Sequence, residues 1–172
     1  TDGLALHNRT TVESLVENGL RAARLPIHSS RADAHDWLVG IPGAHRRARS
    51  AVAALKDGGV EVGVEVVLSR PTITHLEETV AHLIRLGVSS IRFRMLNRRG
   101  PAFQGYVSTA PRFGLMQPAL EAAIQMAMNN GIPVQLQGLP QCAIPGFQDL
   151  HIPQPAYVLP VGVSAPPIHP AP

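Results

Sequence analysis

The sequence predicts an α/β protein in which helices and strands take turns along a parallel sheet. Two observations predict it. Stretches of helical period alternate with short runs rich in Val and Ile, and a glycine stands between each helix and the strand that follows. The 172 residues are 45% hydrophobic and 16% charged, enough apolar material for one core.

Thr10-x-x-Glu13 has capping-box spacing. Val12, Leu15, Val16 and Leu20 follow at helical spacing, so a helix is expected over 11–18 with Gly19 as its stop. Arg21 to His28 reads as a strand through Ala23, Leu25 and Ile27. Ser29 to Gly43, polar and Gly-containing, reads as a loop. A second helix is expected over 45–57, with Ala48, Ala51, Val52 and Leu55 inward and Gly58-Gly59 ending it. Val60 to Leu68 is the next strand. Glu61, Gly63 and Glu65 alternate on one of its faces, and Val66-Val67-Leu68 suggests burial on both faces at its end. Thr74-x-x-Glu77, a second capping box, opens a helix over 74–86 that Gly87 stops. Val88 to Leu96 is a strand, 117–130 the last helix and Ile132 to Leu136 the last strand.

Such units imply right-handed crossovers, with the helices on one outer side of the sheet. A closed eight-stranded barrel takes about 250 residues, so an open sheet or part of a barrel, a partial TIM barrel, is expected. Ten of the 16 prolines lie from Pro133 onward, and seven lie within residues 151–172. Residues 1–147 are therefore assigned to the βα units, and 148–172 to a Pro-rich tail, extended or disordered, without helix or central strand.

Composition narrows the function. Fourteen arginines and one lysine, Lys56, give a net charge of +3. The arginines are scattered rather than striped, so nucleic acid is not the expected partner. No apolar run approaches the roughly 20 residues that span a bilayer. No signal peptide is visible at Thr1-Asp2-Gly3, so a cytoplasmic protein without a membrane partner is expected. The one cysteine, Cys142, rules out an internal disulfide and a three-cysteine cluster held by this chain alone.

In parallel α/β proteins functional groups collect in the loops that follow the strands. Those loops carry His28, Ser29, Ser30, His35 and Asp36; then Ser69, Arg70, Thr72 and His75; then Asn97, Arg98, Arg99 and Gly100, with Arg94 at the strand end; and finally Gln137 and Cys142. Arginines there suit a carboxylate or phosphate ligand. His45 and His82 fall on helices and are expected to be solvated. His35 and Asp36 read as a pair that orders a loop.

Several of these segments, taken in order, closely resemble the radical S-adenosylmethionine enzymes. They are Leu25-Pro-Ile-His-Ser-Ser and Ala34-His-Asp-Trp-Leu-Val-Gly-Ile-Pro-Gly43, then Val64-Glu-Val-Val-Leu-Ser-Arg70. Val88-Ser-Ser-Ile-Arg-Phe-Arg-Met-Leu96, Arg99-Gly-Pro-Ala102 and Gly138-Leu-Pro-Gln-Cys-Ala-Ile-Pro-Gly146 complete the series, and Thr1-Asp2-Gly3 is similar to the family's Thr-Asn-Gly strand end. The resemblance covers roughly residues 1–147. It departs at two points. The CxxxCxxC loop and the Gly-Gly-Glu strand are absent from this chain, and Pro26 stands where many members carry Ser.

The resemblance implies the later part of a radical enzyme core. The intact enzyme would form a 5′-deoxyadenosyl radical from S-adenosylmethionine at a [4Fe–4S] cluster bound upstream, acting on a small-molecule or peptide substrate. Thr1, His28, Ser29, Arg70, Arg94 and Asn97 are the implied cofactor contacts, and Cys142 is a candidate ligand of an auxiliary cluster. The chain alone is expected to be inactive. Two alternatives stand beside this. One is a degenerate, non-catalytic α/β domain that binds a nucleotide-like ligand or a partner. The other is a metal-dependent hydrolase with His7, His28 and His75 on zinc.

Overall fold

The computed structural model describes residues 2–97 and 105–153. Thr1, Arg98, Arg99, Gly100 and the part of the expected tail from residue 154 onward lie outside the described residues. In chain order the elements are α1 (Arg9–Glu17), β1 (Ala22–Pro26), α2 (Ala32–Val39), α3 (Ala44–Asp57), β2 (Glu61–Leu68), α4 (Arg70–Ile73) and α5 (Leu76–Leu86). Then come β3 (Ser90–Met95), α6 (Tyr106–Thr109), α7 (Phe113–Asn129) and β4 (Val134–Gln137). The four strands form one sheet in the order β1-β2-β3-β4, and every pairing is parallel. The α/β class and the parallel sheet read from the sequence are present.

The register decides which residues share a face. Leu25 pairs with Val64, Val64 with Ile91 and Val66 with Phe93, and Phe93 with Leu136. All six of these side chains are fully buried, in one cluster with Val52 and Leu55 of α3, Leu83 of α5 and Leu120 and Ile124 of α7. This row is the helix-covered face and the core of the molecule. The alternate row carries Arg24, Gly63, Glu65, Ser90, Arg92, Arg94, Gln135 and Gln137. Residues one step apart on a strand point to opposite sides, so the second row forms a polar face.

Several local expectations need correction. The segment Ser29 to Gly43 is not all loop; it contains α2. No apolar stripe marks that helix, and Trp37 on it is 63% exposed. It forms because Ser29 Oγ accepts the Arg31 N–H at 3.1 Å, Asp33 sits in the first turn, and Gly40, at φ 75°, ends it. The cap of α1 is Asn8, whose side chain accepts the Thr10 N–H at 3.1 Å, so Thr10 lies inside the helix rather than ahead of it. Thr74 does not cap α5 either; the residue before that helix is His75. The capping box forms earlier, between Ser69 and Thr72 at the start of α4.

Past β4 the chain makes two single 3-10 turns, Gln141–Ala143 and Gln148–Leu150. His151 then forms a parallel bridge with Leu136, and the Ile152 N–H donates to the Leu136 carbonyl at 2.9 Å. Among the described residues no helix is long and apolar enough to cross a membrane.

Candidate functional site

The loop after β1 is tied down by imidazoles. His28 Nδ1 accepts the Val67 N–H at 3.3 Å, and the His28 N–H donates to His35 Nδ1 at 3.0 Å. Burial, with the neighbouring His35, pushes His28 down to about 3. Burial, with His45, pushes His35 down to about 4. Both rings are therefore neutral near pH 7, and the other ring nitrogen of each, Nε2, carries the proton. Groups this far below neutral make poor general bases; what His28 can offer is a hydrogen bond.

The ring series continues. Centroids lie 5.3 Å apart for His28 and His35, 5.6 Å for His35 and His45, and 6.0 Å for His45 and His82. The expectation that His45 and His82 are solvated is corrected. His45 is 6% exposed, and Nε2 of both rings is buried without a hydrogen-bond partner. His45 is drawn inward by Asp36, whose carboxylate accepts the Gly43 N–H at 2.6 Å and the His45 N–H at 2.8 Å. Desolvation works against that carboxylate, but the two N–H groups prevail and hold it below its ordinary range. His35 and Asp36 thus order the α2–α3 junction separately, one through β1 and the other through α3.

The remaining rim residues separate. Ser29 is fully buried and spends its Oγ on the start of α2. Arg70 donates from Nε to the Ala110 carbonyl at 2.9 Å and from Nη2 to the Val107 carbonyl at 2.8 Å, so it clasps the β3–α7 connection. Asn97 is half-buried just past β3. Arg94 faces Val67 in the register, and Val67 is the residue that His28 holds. The structure therefore brings His28 and Arg94 together across β2. Cys142 is exposed on its 3-10 turn. His7 is bonded through Nδ1 to the Leu4 carbonyl, and His75 pairs with Glu78 at 3.6 Å. Among the described residues no three His, Cys, Asp or Glu side chains are placed to hold a metal ion.

The polar face was not foreseen as a site beyond Arg94. Arg24 reaches over Gly63 toward Ser90 Oγ, 3.4 Å from its Nη2. Arg92 donates from Nε and Nη2 to Gln135 Oε1 at 3.0 and 2.8 Å. Arg94 Nε stands 3.3 Å from Glu65 Oε1, with the two side chains 41% and 19% exposed. Desolvation, and then the charge of Arg92, lower the pKa of Arg24, against a smaller opposing pull from Glu65. The signal in the sequence was the alternation Ser90-x-Arg92-x-Arg94 against an apolar row. It needed the register with Arg24, Gly63 and Glu65 to become a surface.

No family model matches the chain, and no curated protein matches it.

Proposed function

We propose that this chain is the later part of a radical S-adenosylmethionine core, a partial (βα) barrel whose inner wall is the polar face of the sheet. One observation carries the proposal. Strands in sequential order, all parallel, bury an apolar row under their helices and turn a row of Arg, Glu, Gln and Ser to the other side. A strand wall covered by helices on one side and polar on the other suits a barrel that holds a ligand rather than a packed core. The ordered series of family-like segments from Leu25 to Gly146 supports it too.

On this reading Arg94, with Asn97 beyond it, faces the cofactor, where a guanidinium suits the carboxylate of the methionine moiety. His28 and Ser29 shape the rim from behind, and Arg70 positions the β3–α7 segment. The iron–sulfur cluster is a different matter. Among the described residues the exposed Cys142 is the only cysteine, so these residues do not fit a [4Fe–4S] cluster, and its ligands belong to a segment ahead of Thr1. A cytoplasmic location and a small-molecule or peptide substrate go with the proposal.

The test is the coding sequence ahead of Thr1, followed by anaerobic reconstitution of the full-length protein. A CxxxCxxC loop and release of 5′-deoxyadenosine from S-adenosylmethionine are expected. An uninterrupted reading frame without that loop overturns the proposal and favours a non-catalytic domain that binds a nucleotide-like ligand. Pro26 favours that second reading. It lies on the polar row beside Glu65 and has neither hydroxyl nor N–H to offer.

A further inference from the structure

We infer that the polar face between β1 and β3 is a binding site for a small oxyanion, a carboxylate or phosphate group, gripped by Arg24 and Arg92. The site lies toward the N-terminal half of the strands, away from the rim. It stands on the sheet face alone, so it does not depend on the radical-enzyme reading.

Three observations converge. First, Arg24 Nη1 is buried with no hydrogen-bond partner. A guanidinium nitrogen stripped of water and left without an acceptor carries a desolvation cost that the charge of Glu65 offsets only in part. An anion placed beside it would offset that cost. Second, Gly63 lets Arg24 and Ser90 pack down onto β2. A Cβ on Gly63 would stand 2.6 Å from Ser90 Oγ and 3.2 Å from Arg24 Cζ. A side chain there would clash with Ser90 Oγ and press on the Arg24 guanidinium. Third, the charges do not balance. Three guanidinium groups share the face with two carboxylates. Glu61 is exposed at the start of β2, and Glu65 is already paired with Arg94. Arg24 and Arg92 therefore repel each other with little to neutralise them, which agrees with the lowered pKa of Arg24.

The ligand chemistry follows. Arg92 keeps its orientation through the two bonds to Gln135, and Ser90 holds the far end of Arg24. Two oriented forks with spare N–H donors match the oxygens of a carboxylate or phosphate. A cation or a neutral apolar group would gain nothing from them.

The experiment is isothermal titration of the protein with inorganic phosphate and, separately, with succinate at low ionic strength. The wild type is compared with Arg24→Met, Arg24→Lys, Arg92→Met, Gly63→Ala and, as a control remote from the sheet, Arg9→Gln. Saturable binding of at least one anion is expected. Arg24→Met and Arg92→Met should weaken it about tenfold or more, as loss of a charge-assisted bond would. Gly63→Ala should weaken it similarly although it removes no charge, and Arg9→Gln should not. Binding of both anions marks a general oxyanion site, and binding of succinate alone marks a carboxylate site; either supports the inference. Circular dichroism identifies any variant that fails to fold, and Gly63→Ala with Arg24→Lys then decide. Absence of binding to the wild type, or equal binding by Gly63→Ala and the Arg24 variants, overturns it.

Discussion

The two faces of the sheet are built by the same four strands and differ in almost everything else. On one side Leu25, Val64, Val66, Ile91, Phe93 and Leu136 are fully buried under α3, α5 and α7. Each such side chain contributes about 1.5–3 kcal/mol by leaving water. One residue along, Arg24 stands within reach of the charge of Arg92, Arg92 bonds an amide and Arg94 pairs with a glutamate. Partly exposed pairs of this kind contribute about 1 kcal/mol or less, and crowding guanidinium groups costs stability. The apolar row is explained by folding. The polar row is not, and departures of this kind from what folding needs are where function is expected.

Adjacent residues of β3 give the largest contrast. Phe93→Ala, which empties a fully buried ring site, should lower stability by about 3–5 kcal/mol, whereas Arg92→Ala should lower it by about 1 kcal/mol or less. Urea denaturation of both variants checks this; equal losses would erase the distinction between the faces.

Acid should come next. His28 continues the polar row past Pro26, yet it is buried, and with His35 it stays neutral in the folded protein down to about 3 and about 4. The unfolded chain binds these protons near 6.5, so below that pH the unfolded state holds more protons and stability falls as pH falls. With about 1.4 kcal/mol per pH unit for each ring, the two together should remove about 2–3 kcal/mol between pH 7.5 and 5.5. Melting curves of the wild type and of His35→Gln across that range measure it. A flat wild-type profile would mean that the rings are solvated.

The smallest effect belongs to an ion pair on neither face. Arg9 and Glu13 on α1 meet at 3.0 Å with side chains 79% and 56% exposed. Arg9→Ala should change stability by about 0.5 kcal/mol or less. A larger loss would show that exposed pairs matter more here than the contrast between the faces assumes.

Periodicity was enough to place all four strands and the long helices, because their apolar rows bury against one another and glycine stops them. It failed at α2, a helix held by Ser29, Asp36 and Gly40 rather than by an apolar stripe. It failed at His45 for a related reason. Asp36 pulls the start of α3 inward from nine residues away, a tie that helical spacing cannot express. Of the site, the rim loops could be picked out because they follow strands. Arg24 and Arg92 could not, since an arginine in a strand means little until pairing sets it beside another. Arg70 follows β2 as the sequence indicated, at the start of α4, but its partners, Val107 and Ala110, are 37 and 40 residues further on.

Val67 gives its amide proton to a ring nitrogen of His28, where a strand normally offers a carbonyl. A carbonyl accepts at any pH, but an imidazole nitrogen stops accepting once it is protonated. The last rung between the β1 loop and β2 is therefore a conditional one. Exchange of the Val67 amide with deuterium reports whether the His28 ring is neutral and in place, and it does so at the residue that faces Arg94 in the register. A single backbone position thus serves as a built-in gauge of the rim, readable without any ligand.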